Sequence, residues 1–143
     1  MNVVLVTGGF DPLHSGHIAY LNSAKELGDI LVVGLNSDEW LIQKKGKAFL
    51  PLEERNEIVR NLKPVDQTII GFDDSDGSAR DAIKKIRKLY PTETLIFANG
   101  GDRTSVNIPE MDVDDQNIIF MFGVGGDNKK NSSSWILKKW NDA

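Results

Sequence analysis

Residues 3–35, VVLVTGGFDPLHSGHIAYLNSAKELGDILVVGL, decide how the rest of the chain is read. Val3–Val6 is a short, β-branched run that breaks at Thr7-Gly8-Gly9, the pattern of a parallel strand buried on both faces and entering a turn. His17–Leu27 follows with Ile18, Leu21, Ala24 and Leu27 on one side of a helix, and Gly28 stops it. Ile30–Leu35 is a second buried run. Two such strands around one helix make a βαβ unit, whose crossover is right-handed in nearly all proteins.

The alternation continues outward. Asp38–Gln43 can form a short helix, followed by the basic, glycine-broken segment Lys44-Lys45-Gly46-Lys47. Pro51 suits the first turn of a helix over Leu52–Leu62, which Pro64 ends. Gln67–Ile70 reads as strand three, Asp73–Ser78 as a polar, solvated loop, and Ala79–Tyr90 as a helix with Ala82, Ile83, Ile86 and Leu89 at helical spacing. Thr94–Ala98 and Asn117–Phe122 are strands four and five, and Ser132–Trp140 closes the chain as a helix capped by Ser132. The expected fold is α/β: a single-domain, Rossmann-like doubly wound sheet of about five parallel strands with helices on both faces, spanning residues 1–143.

Composition sets outer bounds. The chain has 143 residues, 40% hydrophobic and 27% charged, with 17 basic against 21 acidic residues for a formal net charge of −4. That balance speaks against a nucleic-acid partner, which calls for a basic face. The absence of cysteine excludes disulfides and thiolate metal sites. No apolar run approaches the ~20 residues of a membrane span, and strand one begins almost at Met1, so a soluble, cytoplasmic protein with no membrane partner is expected.

Ligands of open α/β sheets bind beyond the carboxyl ends of the strands. Here those ends are Gly8–His17, Asn36–Asp38, Asn99–Asp102 and Gly123–Asn131, the loops richest in glycine and polar residues. The first holds both histidines of the chain, His14 and His17, at the start of a helix whose free N–H groups favour phosphate. It lacks the Gly-Lys-Ser/Thr ending of a Walker loop, and Pro12 and His14 stand where a dinucleotide fingerprint needs glycine. Asp11 is at hand, but no His-Glu-x-x-His helix exists to suggest zinc.

The stretch Gly8-Gly9-Phe10-Asp11-Pro12-Leu13-His14-Ser15-Gly16-His17 resembles the signature Gly-x-Phe-Asp-x-x-His-x-Gly-His of the cytidylyltransferase-like nucleotidyltransferases, and the match is complete. Residues 27–60 look most like the glycerol-3-phosphate cytidylyltransferase branch. The resemblance implies transfer of a nucleotidyl group, CMP from CTP first and AMP from ATP as the alternative, to a small phosphorylated alcohol or sugar, with release of pyrophosphate. It implies Mg²⁺ carried mainly by the triphosphate, no side-chain metal cage, and a homodimer formed through the region after strand one and the Arg55 helix.

Site residues carry over position by position. His14, His17 and Lys44 take the catalytic roles. Gly8, Gly9, Phe10, Asp11, Gly16, Gly101 and Asp102 hold the nucleotide. Asp38, Lys47 and Arg55 contact substrate, Lys47 being also the alternative to Lys44. Arg103, which has no firm family equivalent, is expected from its place after strand four to contact phosphate or substrate. Family members place Arg-Thr-x-Gly-Ile-Ser-Thr-Thr at a helix start that binds the β- and γ-phosphates. Ser132, Ser133 and Ser134 stand in the hydroxyl positions here, but the arginine is missing, and Lys129 or Lys130 is the nearest cation. Trp135 and Trp140 are expected to pack, and Asp112–Asp115 to be surface. A non-catalytic nucleotide-binding module would share the loop, though one would expect it to have lost His17 or the lysines.

Overall fold

The computed structural model describes residues 1–100, 110, 113–125 and 133–141, without the side chains of 133–135. Among the described residues the elements follow in the order β1 (Asn2–Gly8), α1 (Ser15–Lys25), β2 (Ile30–Leu35), α2 (Asp38–Lys45), α3 (Leu52–Arg60), β3 (Gln67–Ile69), α4 (Arg80–Leu89), β4 (Thr94–Gly100), β5 (Ile118–Val124) and α5 (Ser133–Asn141). The strands form one parallel sheet in the order β3-β2-β1-β4-β5, the doubly wound arrangement expected.

Strand alternation sorts the core into two layers. Val4, Val6, Leu31, Val33, Leu35, Ile96 and Ala98 face α1 and α3, where Leu21, Ala24 and Val59 close the packing. Val3, Leu5, Val32, Leu95 and Phe97 face the other way, onto Ala82, Ile83 and Ile86 of α4. Both faces of β1 are thus covered, which is why Val3–Val6 is apolar without interruption. Tyr90 rather than Leu89 continues the apolar face of α4: Tyr90 packs on this second layer while Leu89 is exposed.

The sheet opens at its carboxyl end. Pairing of β1 with β2 runs to Gly8–Leu35, and that of β4 with β5 to Gly100–Val124. Between β1 and β4 it stops at Leu5–Phe97, so the two strands part above that level. This is the point where strand order reverses, and the signature loop springs from it. Beside it, β5 carries an extra residue opposite Ala98–Gly100, with Gly123 at φ 67°. Asn99, buried there, donates its amide to the carbonyls of Phe97 and Met121 (3.3 and 3.2 Å) and seals the bulge.

Several boundaries differ from expectation by a few residues, two of them for reasons visible in the caps. Helix α1 starts at Ser15, two residues early, because His14 serves as its cap. Helix α2 runs two residues beyond Gln43, so Lys44 and Lys45 form its last turn, and Gly46 at φ 91° ends it in the left-handed conformation glycine tolerates. Strand β5 reaches Val124. Among the described residues no helix is long and apolar enough to cross a membrane.

Candidate active site

The signature loop is held by packing and by one carboxylate. Phe10 sits at φ 52° with its ring buried. A Cβ on Gly8 would lie 3.2 Å from that ring, and one on Gly9 would lie 2.7 Å from Leu41 of α2. A side chain at either position would have to shift the Phe10 ring or the end of Leu41. Asp11, expected to hold nucleotide, is buried at 1% exposure and accepts the backbone N–H groups of Phe49 and Leu50 at 2.6 and 2.7 Å. Its carboxylate fastens the segment between α2 and α3 to the loop, while its carbonyl accepts from Lys45 Nζ at 2.9 Å.

The histidines form the first turn of α1. His14 Nδ1 accepts the Gly16 N–H, and His17 Nδ1 accepts the His14 N–H, both at 3.1 Å. A ring nitrogen that accepts carries no proton, so each neutral imidazole keeps its hydrogen on Nε2. The rings stack with centroids 3.8 Å apart, and the Phe10 ring meets His17 edge-on at 5.0 Å. Burial, then the neighbouring His14 and Lys45, push the His17 pKa down to about 3. His17 is therefore a neutral donor throughout the physiological range. A capping histidine escapes the usual helix-start signal, which looks for Ser, Thr, Asp or Asn.

The lysines separate by position. Lys45 bonds the signature loop and is electrostatically coupled to His17, and its pKa is lowered, first by burial. Lys44 places its ammonium 4.6 Å from the centre of the Trp40 ring. Lys47 lies past the helix end and is exposed. Of the three, Lys45, which sequence reasoning had not singled out, is the one seen against the histidine loop.

Arg55, expected to contact substrate, has a side chain with 0% exposure. Its guanidinium donates to the carbonyls of Leu50, Gly9 and Asn36 (2.9, 2.9 and 2.8 Å) and to Asp38 Oδ1 (2.6 Å). One side chain thus ties the loops after β1 and β2 to the start of α3, and the planar fork of arginine suits such divergent acceptors. Asp38, 37% exposed, turns one oxygen to this arginine. Asp74 also departs from its expected place in a solvated loop: it is buried and accepts from Ser37 N, Ser37 Oγ and Asn36 Nδ2 (2.7, 2.7 and 3.2 Å).

Gly16 lies in the α1 cap. Gly101, Asp102, Arg103, Lys129, Lys130 and Ser132 lie outside the described residues. Ser133 and Ser134 open α5, their side chains likewise outside the description.

This geometry sits inside a recognised sequence pattern. The profile described as cytidylyltransferase-like matches residues 5–118, from β1 into β5. The chain belongs to the cytidylyltransferase-like family. Within this family it is 41% identical over 91 residues to the FAD synthase of Ferroglobus placidus, covering 64% of this chain and 55% of that protein. It is 45% identical over 69 residues to the glycerol-3-phosphate cytidylyltransferase of Bacillus subtilis, covering 48% of this chain and 54% of the other. The chain thus spans about half the length of these curated relatives. The solved lipopolysaccharide core biosynthesis protein of Thermoplasma volcanium shares its fold at a TM-score of 0.61 and 28% identity, covering 85% of this chain and 95% of that one.

Proposed function

We propose that this member of the cytidylyltransferase-like family transfers a nucleotidyl group from a nucleoside triphosphate to a small phosphorylated acceptor. An acceptor phosphate oxygen attacks the α-phosphorus, the bond from that phosphorus to the bridging oxygen of the β-phosphate breaks, and pyrophosphate leaves with the bonding electrons. The nucleophile is already anionic, so no general base is needed. Catalysis reduces to in-line positioning and neutralisation of charge.

The observation that carries this reading is the pair of stacked imidazoles capping α1, whose ring nitrogens at Nδ1 accept backbone N–H groups and whose Nε2–H groups suit donation to phosphate. Lys45 supports them with positive charge from α2. Lys44 and Lys47 remain alternatives for the cation that meets charge on the α-phosphate. Ser132, Ser133 and Ser134, with Lys129 or Lys130, would receive the leaving pyrophosphate. Asp38, Arg103 and the Gly101-Asp102 turn would meet acceptor and nucleotide. Mg²⁺ would enter with the triphosphate and share in screening its charge.

CTP with an alcohol or sugar phosphate such as glycerol 3-phosphate is the first reading, supported by the similarity to the Bacillus enzyme. ATP is the second, favoured by the similarity to FAD synthase. Pyrophosphate release measured with each of the four ribonucleoside triphosphates, against a panel of alcohol and sugar phosphates, separates them. CTP is expected to turn over fastest. Faster turnover with ATP replaces the first reading by the second, and no release with any pair overturns nucleotidyl transfer. The working form is proposed to be a homodimer paired through the segment after β1 and α3. A monomer mass by light scattering across micromolar concentrations would refute it.

A further inference from the structure

Helix α2 is eight residues long, too short to persist by itself, so its placement depends on tertiary anchors. Leu41 is its one buried residue, packed over Gly9. Lys45 holds the far end to the Asp11 carbonyl. The near end is gripped from both layers of the molecule. Arg55, on the α3 side of the sheet, takes the Asn36 carbonyl and Asp38. Asp74 comes from the opposite side, between Phe72 and Ala79, which belong to the α4 layer.

Ser37 is the cap of α2, and its hydroxyl oxygen accepts the Trp40 N–H at 3.0 Å. Its single proton goes to Asp74 Oδ1, while Asp74 Oδ2 takes the Ser37 N–H and the Asn36 amide. The carboxylate thus fixes the cap in rotation as well as in place. Among the described residues, every hydrogen bond of the Asp74 side chain goes to this entry into α2. A carboxylate at a helix N-terminus is also favourable for the helix dipole.

We propose that Asp74 is a positioning residue for the reaction: by locking the Ser37 cap from the far layer, it aims α2 so that Lys45 of its last turn meets the histidine loop. This rests on the nucleotidyl-transfer reading and assigns α2 a role in it. Asp74 touches no reacting atom in this scheme and acts only through the helix.

The test is a double-mutant cycle with hydrogen exchange. Asp74→Ala is expected to lower kcat by roughly tenfold to a hundredfold, the scale of a small misplacement of a catalytic group, with little change in the triphosphate KM. In a Lys45→Ala background the same change should have almost no further effect on kcat, because the group being aimed is gone. Asp74→Asn should restore most of the rate, since its amide can still hold Ser37 and Asn36. Exchange of the Trp40 amide should quicken in Asp74→Ala. Equal kcat losses in both backgrounds, or an unchanged kcat in a folded Asp74→Ala protein, overturn the proposal. If Asp74→Ala does not fold, Ser37→Gly removes the hydroxyl that Asp74 holds and should give the same pattern. A normal kcat there is equally fatal. Failure of the transfer reading shows separately, as no pyrophosphate release by the unaltered protein. The Trp40 exchange rate then decides alone, and an unchanged rate in Asp74→Ala overturns the proposal.

Discussion

Replacing Arg55 by methionine separates a buried tie from a substrate contact. The change keeps much of the side-chain volume and removes four hydrogen bonds. The lost partners differ in cost. Asn36, 5% exposed, keeps a buried carbonyl without its donor, a loss of about 1–3 kcal/mol. Gly9 and Leu50 are half-buried and Asp38 is 37% exposed, so water can replace part of what they lose, and the ion pair itself is discounted to about 1 kcal/mol or less. A total near ~3 kcal/mol follows, which at about 3–4 °C per kcal/mol for a chain of this size lowers the melting temperature by ~10 °C. The chain should still fold, because domain stabilities run to about 5–15 kcal/mol. The loops after β1 and β2 would lose their common anchor, so kcat should fall as well. Thermal melts by circular dichroism and pyrophosphate release measure the two effects. A melting temperature within about 2 °C of the unaltered protein, with only the acceptor KM raised, would refute the tie and return Arg55 to the substrate pocket.

Other outcomes follow from the same site. His17→Ala should fold and lose roughly 10²–10³ in turnover, the usual scale for one transition-state donor, and near-normal turnover would remove His17 from the site. Because the His17 pKa falls from 6.5 unfolded to about 3 folded, the unfolded chain binds the extra proton in that window. Stability should therefore drop by about 1.4 kcal/mol per pH unit on acidification below 6.5, and melts of His17→Gln should show a shallower slope. Lys45→Ala should depress kcat more than Lys44→Ala in parallel steady-state assays, and the reverse order would restore Lys44 as the principal cation.

Much of the fold was legible because it is written in local patterns. Unbroken apolar runs at Val3–Val6 and Ile30–Leu35 mark strands covered on both faces, and the signature loop between them is contiguous in sequence. Strand order was not legible in this way: alternation requires a parallel sheet, but β4 pairing with β1 rather than β3 is a long-range outcome. The same limit explains the site. Asp73-Asp74-Ser75-Asp76 reads as a uniform acidic loop, yet Asp74 alone turns inward because Ser37 and Asn36, some 37 residues earlier, offer it three donors. Arg55 carries the same charge on paper whether it faces substrate or three carbonyls. Lys44 and Lys45 are adjacent in sequence and part company only because a helix turns each residue about 100° from the last.

The parting of β1 and β4 bears on the order in which the protein is made. Strand β1 emerges ahead of β2 and finds it nearby in the chain, with Val3 opposite Ile30. Its other neighbour arrives only when Thr94 comes level with Asn2. Contacts so distant along the chain form late, and until then this edge of β1 stays open to wrong partners. A nascent chain that stops short of β4 already contains Gly8 to His17, α2 and Arg55, yet it has one wall of the crevice and not the other. Every residue of the motif precedes the site in synthesis, and only the closing of the second wall turns one into the other.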